Sequence, residues 1–178
     1  MAGQFILAID QGTTGTTALL FDAELNICGK VTTEFPQHFP NPSWVEHDLS
    51  EIWNSVVTSV KGALSEARVG GHEIVGIGIT NQRETTCLWE RGREAAPLGK
   101  AIVWQDRRTA SECEKLKKRG LEKTIHRKTG LLLDPYFSAT KLSWMLKNIS
   151  GALARAKHGE LAFGTIESYL LYRMSGEH

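Results

Sequence analysis

Apolar positions cluster at the start of the chain into two runs, Ile6 to Ile9 and Ala18 to Phe21, separated by a segment rich in threonine and glycine that opens with Asp10. Such runs suit buried strands and the segment between them suits a turn, which predicts a β-hairpin with Asp10 at its tip. Asp22 and Asn26 then mark a second turn, and the β-branched residues of 27–35 predict a third strand, completing an antiparallel meander. Residues 35–42 carry Pro36, Pro40 and Pro42, which exclude helix and central strand and predict a surface crossing.

Periodicity changes at Asp48. Leu49, Ile52, Trp53, Val56, Val57, Val60, Leu64 and Ala67 recur at helical spacing, Glu51 completes a capping box with Asp48, and the pair Gly70 and Gly71 predicts the end. Residues 73–80 predict a strand buried on both faces that runs into the polar cluster Asn81, Gln82, Arg83, Glu84, Thr85 and Thr86. Open α/β sheets bind ligands at such carboxyl ends of strands. Strands over 86–89 and 101–104, separated by a turn at 91–99, lead into charged helical patterns over 109–119 and 121–128. A loop fixed by Pro135 follows, and Ser138 is predicted to cap a helix carrying Leu142, Met145, Leu146 and Ile149. A helix over 152–157, a short strand over 161–163 and a last helix over 166–174 close the pattern. Strands first and then alternating helices and strands predict an α/β fold with a mixed sheet.

At 178 residues the length suggests one domain with a substantial core, and 41% hydrophobic with 23% charged residues is the composition of a soluble globular protein. Twenty-one basic against 20 acidic residues leave no net field for nucleic acid or anionic lipid. Lys115, Lys117, Lys118 and Arg119 alternate with Glu112 and Glu114, the pattern of a solvated helix face. Cys28, Cys87 and Cys113 are odd in number and widely spaced, which fits reduced thiols in the cytoplasm. The first apolar run stops at Asp10 and has no basic flank, so neither a signal peptide nor a membrane span is expected.

Two clusters carry candidate chemistry. Gly12 and Gly15 let a backbone approach a ligand closely, Thr13, Thr14, Thr16 and Thr17 add hydroxyl donors, and Asp10 offers a hard oxygen to a phosphate-borne Mg²⁺. The spacing matches neither of the two commoner glycine-rich phosphate motifs, and a plain threonine-rich hairpin stands as the alternative. In the second cluster Arg83 offers fixed donors beside the acceptor Glu84, a combination that suits a polyol, with a Tyr136 hydroxyl and a Trp104 wall completing a small-molecule pocket. The alternative is a surface Arg83–Glu84 ion pair and two core aromatics.

Five separated segments, Asp10 to Thr14, Ser43 to Asp48, Gly78 to Thr86, Ile102 to Thr109 and Asp134 to Lys141, occur in the order seen in one family. On them the chain resembles the FGGY carbohydrate kinases of the actin-like ATPase superfamily, the glycerol kinases in particular. The resemblance implies an incomplete first, glycerol-binding domain with a mixed sheet of ribonuclease H-like type, covering residues 1–178. By the same resemblance Asp10 serves the magnesium of Mg-ATP, and Gly12, Thr13, Thr14 and Gly15 meet the nucleotide phosphates. Arg83, Glu84 and Tyr136 hold the glycerol hydroxyls and Trp104 packs on its carbons. It further implies a cytoplasmic homo-oligomer that phosphorylates glycerol, with the catalytic base and an adenosine-binding second domain beyond His178. Where many such kinases place serines and then an arginine, this chain has Gly15, Thr16 and Thr17. A kinase of another sugar or polyol, and a non-catalytic polyol-binding module, stand as rivals.

Overall fold

The computed structural model describes residues 4–176. Its strands are β1 (Phe5–Gln11), β2 (Gly15–Phe21), β3 (Ile27–Glu34), β4 (Glu46–His47), β5 (Ile74–Asn81), β6 (Cys87–Glu90), β7 (Ala101–Ile102) and β8 (Leu161–Gly164). The helices are α1 (Leu49–Ala67), α2 (Ala110–Lys118), α3 (Glu122–Thr129), α4 (Ser138–Asn148), α5 (Ala152–Lys157) and α6 (Ile166–Ser175). They fall into two compact units, one of residues 4–37 with 48–82 and one of 38–47 with 83–176.

In the first unit β1, β2 and β3 form the predicted antiparallel meander, and β5 joins β1 in parallel to give the order β3-β2-β1-β5. The sheet is therefore mixed. Leu7 and Ile9 of β1 and Ala18 and Leu20 of β2 alternate inward, and α1 contributes Ile52, Val56 and Ala63 to the same core. Gly29 makes this packing possible, since a Cβ there would stand 2.3 Å from the Ala63 carbonyl oxygen. Two serines also point inward from α1. Ser55 Oγ lies 2.7 Å from Thr16 Oγ1, and Ser59 donates to the Thr16 carbonyl at 2.9 Å, so both buried hydroxyls are satisfied. The Asp48 side chain caps α1 by accepting from the Ser50 N–H, and the helix ends ahead of the glycine pair with Arg68 in the left-handed region at φ 58°.

Two expectations change here. Asp10 is not at the hairpin tip: it pairs with Thr17 inside the ladder, and the turn is Gly12 to Gly15, where the Gly12 N–H donates to the Gly15 carbonyl. Nor is β5 buried on both faces, because among the described residues it pairs only with β1 at the sheet edge, leaving Val75 60% and Ile77 56% exposed. Isoleucine-rich composition cannot distinguish an edge from a centre.

In the second unit β6 pairs with β8 and β4 with β7, both antiparallel. Leu88, Ile102, Met145 and Ala152 form its core, with Leu142, Leu146, Ile149 and Leu161 packed around them. Trp89 is fully buried edge-on to Tyr169 at 5.5 Å. The strand expected over 101–104 is shortened to β7 because the chain turns at once, with the Asp106 N–H donating to the Val103 carbonyl. Ser138 does not cap α4; Phe137 holds the cap position, and Ser138 is the first helical residue with its polar groups engaged elsewhere. No described helix is long and apolar enough to cross a membrane.

Candidate functional site

The candidate residues lie in two groups, one in each unit. In the first unit Asp10, the last residue but one of β1, pairs with Thr17 of β2 and Thr80 of β5, with an exposed carboxylate that accepts from no described residue. The turn beyond it is held by two side-chain amides to which the sequence reading gave no role of their own. Gln11, fully buried, donates to the Gly12 carbonyl at 2.7 Å. Gln82 reaches the same carbonyl at 3.2 Å and Gln11 Oε1 at 3.1 Å, while its own N–H donates to the Gln11 carbonyl. Gly15 sits against β3, where a Cβ would lie 3.0 Å from the Thr33 carbonyl oxygen. The consequence is a rigid turn in which Thr13 and Thr14 stand at the apex, beside an uncommitted carboxylate.

That turn contains no basic residue, so an anion there would be met by N–H and hydroxyl donors rather than by a cation. Among the described residues no group of three or more His, Cys, Asp and Glu is placed to hold a metal ion. A single hard carboxylate fits a hydrated ion carried in on phosphate oxygens, and does not fit a cation caged by protein ligands alone.

In the second unit the strand-to-strand segment brings Arg83 and Glu84 to the first turn of α4. Glu84 has φ 65°, an uncommon conformation for a residue with a side chain. Its Oε2 accepts from the Ser138 N–H at 2.8 Å and the Ser138 hydroxyl at 2.7 Å, so that it satisfies a helix N-terminus. No described residue donates to Oε1. Arg83 is exposed and forms no ion pair among the described residues, so the two neighbours are not a surface salt bridge.

Lys141, one turn further along α4, is fully buried and donates to the Glu84 carbonyl at 3.0 Å and to the Tyr136 carbonyl. Burial pushes its ammonium down to about 8, opposed by the charges of Glu84, Asp106 and Asp134. Tyr136 is further fixed by its N–H, which donates to Asp134 Oδ1 at 2.8 Å, and no described residue bonds its hydroxyl. Its ring meets Trp104 edge to face at 6.0 Å, and the Trp104 N–H donates to the Thr85 hydroxyl. Both rings are half-buried rather than core. The structure thus brings Glu84, Tyr136 and Trp104 into one cluster around Lys141. A signal for Lys141 existed in the sequence: it stands four residues before the buried Met145, a lysine on the core face of a helix.

The chain belongs to the FGGY family of carbohydrate kinases, whose N-terminal domain it matches over residues 5–178. It is 57% identical over 174 residues to the glycerol kinase of Rhizobium meliloti (strain 1021), covering 98% of this chain and 35% of that relative. A crystal structure of Plasmodium falciparum glycerol kinase with ADP superposes with a TM-score of 0.90 at 30% identity, over 99% of this chain and 35% of the other. Gluconate kinase from Lactobacillus acidophilus shares the fold, with a TM-score of 0.83 at 24% identity over 98% of this chain and 34% of the other. The chain spans about a third of the length of the relatives it matches.

Proposed function

We propose that the protein carrying this chain transfers the γ-phosphoryl group of Mg-ATP to a terminal hydroxyl of glycerol, and that residues 1–178 are the early part of its glycerol-binding domain. The observation that carries the proposal is the Glu84 carboxylate, committed through Oε2 to Ser138 and open at Oε1, beside exposed Arg83 and the half-buried Trp104 and Tyr136. Glu84 accepts a hydrogen bond from one glycerol hydroxyl, Arg83 donates to the oxygen of a neighbouring hydroxyl, and the Tyr136 hydroxyl adds a further contact. Trp104 covers the carbon skeleton and excludes water from it. Together they hold the attacking oxygen in place, which is most of what phosphoryl transfer asks of a protein.

Gly12, Thr13, Thr14 and Gly15 bind the nucleotide phosphates through N–H and hydroxyl donors, and Asp10 holds the magnesium through its water shell. The ion neutralises charge on the transferring group when bound. Adenosine binding and the group that takes the hydroxyl proton come from outside these residues. The 57% identity to a glycerol kinase favours glycerol over other polyols. The free cysteines Cys87 and Cys113, both buried, support a reducing compartment, and a cytoplasmic location is part of the proposal.

The test is phosphate transfer from Mg-ATP by the full-length protein to a panel of glycerol, xylulose and gluconate. Turnover should be confined to glycerol or exceed that on the others many-fold. A preference for xylulose or gluconate would assign the cradle to another substrate, and no transfer at all would favour a binding module.

A further inference from the structure

Glu84 combines two features that need an external support. Its backbone is left-handed, and its carboxylate is turned onto the N-terminus of α4 rather than into solvent. Both are maintained from one helical turn. Ser138 grips the carboxylate with its N–H and hydroxyl, and its hydroxyl also lies 3.4 Å from the Glu84 carbonyl oxygen. Lys141, three residues on and on the same face, grips that carbonyl and ties it to the carbonyl of Tyr136. A fully buried ammonium is costly to desolvate, and a Met would fill the same volume at less cost, so its donors are what the site retains it for.

We propose that Ser138 and Lys141 form a clasp that positions the polyol site, fixing Glu84 so that Oε1 is presented to a substrate hydroxyl and locking Tyr136 at a set distance from it. The inference rests on the glycerol-cradle reading above. Neither residue touches substrate; both act through Glu84, and Lys141 also through Tyr136. Because the clasp joins residues 54 and 57 positions apart in sequence, its loss leaves the local segment 83–86 to relax toward an ordinary backbone conformation, which re-aims the carboxylate.

The experiment uses the full-length protein with Ser138→Ala, Ser138→Thr and Lys141→Met, each alone and in combination with Glu84→Gln. Ser138→Ala and Lys141→Met should raise the glycerol KM by roughly ten-fold or more, the scale of one lost hydrogen bond to a charged group, with the Mg-ATP KM unchanged. Ser138→Thr should restore most of the loss. On the Glu84→Gln background either substitution should add little, because residues acting through one group are not additive. If Lys141→Met does not fold, Ser138→Ala, which removes a half-buried hydroxyl, carries the same test.

A glycerol KM within two-fold of the parent in folded Ser138→Ala, a parallel rise in both KM values, or full additivity with Glu84→Gln would overturn the clasp. Arg83→Ala is the control for the underlying reading. If it raises the glycerol KM while the clasp variants do not, only the clasp falls. If it too has no effect, or if the parent transfers no phosphate to glycerol, the cradle falls and takes the clasp with it.

Discussion

The Arg108 guanidinium and the Asp106 carboxylate meet at 2.8 Å with both side chains only 1% exposed. Trp44 and Trp144 cover the guanidinium, their ring centroids 3.8 and 4.6 Å from its carbon, and Glu46 accepts from the same Nη2 that meets Asp106. Asp106 Oδ2 also accepts from the Val45 N–H, so the same carboxylate helps to hold the segment 43–47 within the second unit. Asp106→Ala leaves a buried cation with one carboxylate, Glu46, and takes the acceptor from two backbone donors, the N–H groups of Val45 and Arg108. A loss of about 3–5 kcal/mol is expected in urea unfolding, the cost of breaking a buried pair from one side. A loss below about 1 kcal/mol would mean that solvent reaches Arg108.

Close approach of α1 to β3 gives a second stability prediction. Gly29→Ala places a methyl 2.3 Å from the Ala63 carbonyl oxygen, and a backbone atom inside a helix cannot swing aside. The variant should lose about 1–3 kcal/mol, the range for overpacking. Gly76→Ala in β5 meets nothing within 4 Å and should be close to neutral. Equal losses at both positions would mean that general strand propensity, not the helix contact, sets the effect.

Buried His47 makes stability depend on pH. Burial, aided by the charge of His38, lowers its folded-state value from 6.5 to about 4. Between those values the unfolded chain binds a proton that the folded chain does not, so stability is full above 6.5 and falls as pH drops toward 4. The loss attributable to this group is on the order of 3 kcal/mol. His47→Gln should flatten the unfolding free energy across that window; an unchanged slope would assign the pH dependence elsewhere.

The phosphate turn is tested by Asp10→Asn in the full-length protein. The carboxylate is exposed and accepts from no described residue, so the melting temperature should stay within about 2 °C of the parent, as for surface substitutions generally. Turnover at saturating Mg-ATP should nonetheless fall by roughly a hundred-fold or more, because a neutral amide is a poor partner for a hydrated dication. Turnover within a few-fold of the parent would leave Asp10 without a role in metal handling.

The meander and α1 were legible in the sequence because a period of two and a period of 3.6 are local signals. Asp10, the glycine turn, Arg83, Glu84, Trp104 and Tyr136 stood out in the sequence as residue types suited to phosphate and polyol, the roles proposed for them here. Their supports were not. Gln82 acts on Gln11 across 71 residues, and Ser138 and Lys141 act on Glu84 across 54 and 57, pairings that no local pattern encodes. Ser138 was misread for that reason, since a serine before a helical pattern resembles a cap whichever carboxylate it serves. The edge position of β5 was hidden likewise, as strand order is a property of pairing and not of composition.

Glycerol affinity measured beside nucleotide affinity in Arg83→Ala tests the central claim most directly. Arg83 is exposed and carries no ion pair among the described residues, so its removal should leave folding intact and report on ligand alone. The full-length variant should bind glycerol more weakly by about 1.5–3 kcal/mol, the worth of a hydrogen bond to a charged group, with Mg-ATP affinity unchanged. An unchanged glycerol affinity would contradict the assignment of the Arg83, Glu84, Trp104 and Tyr136 cluster as the glycerol cradle.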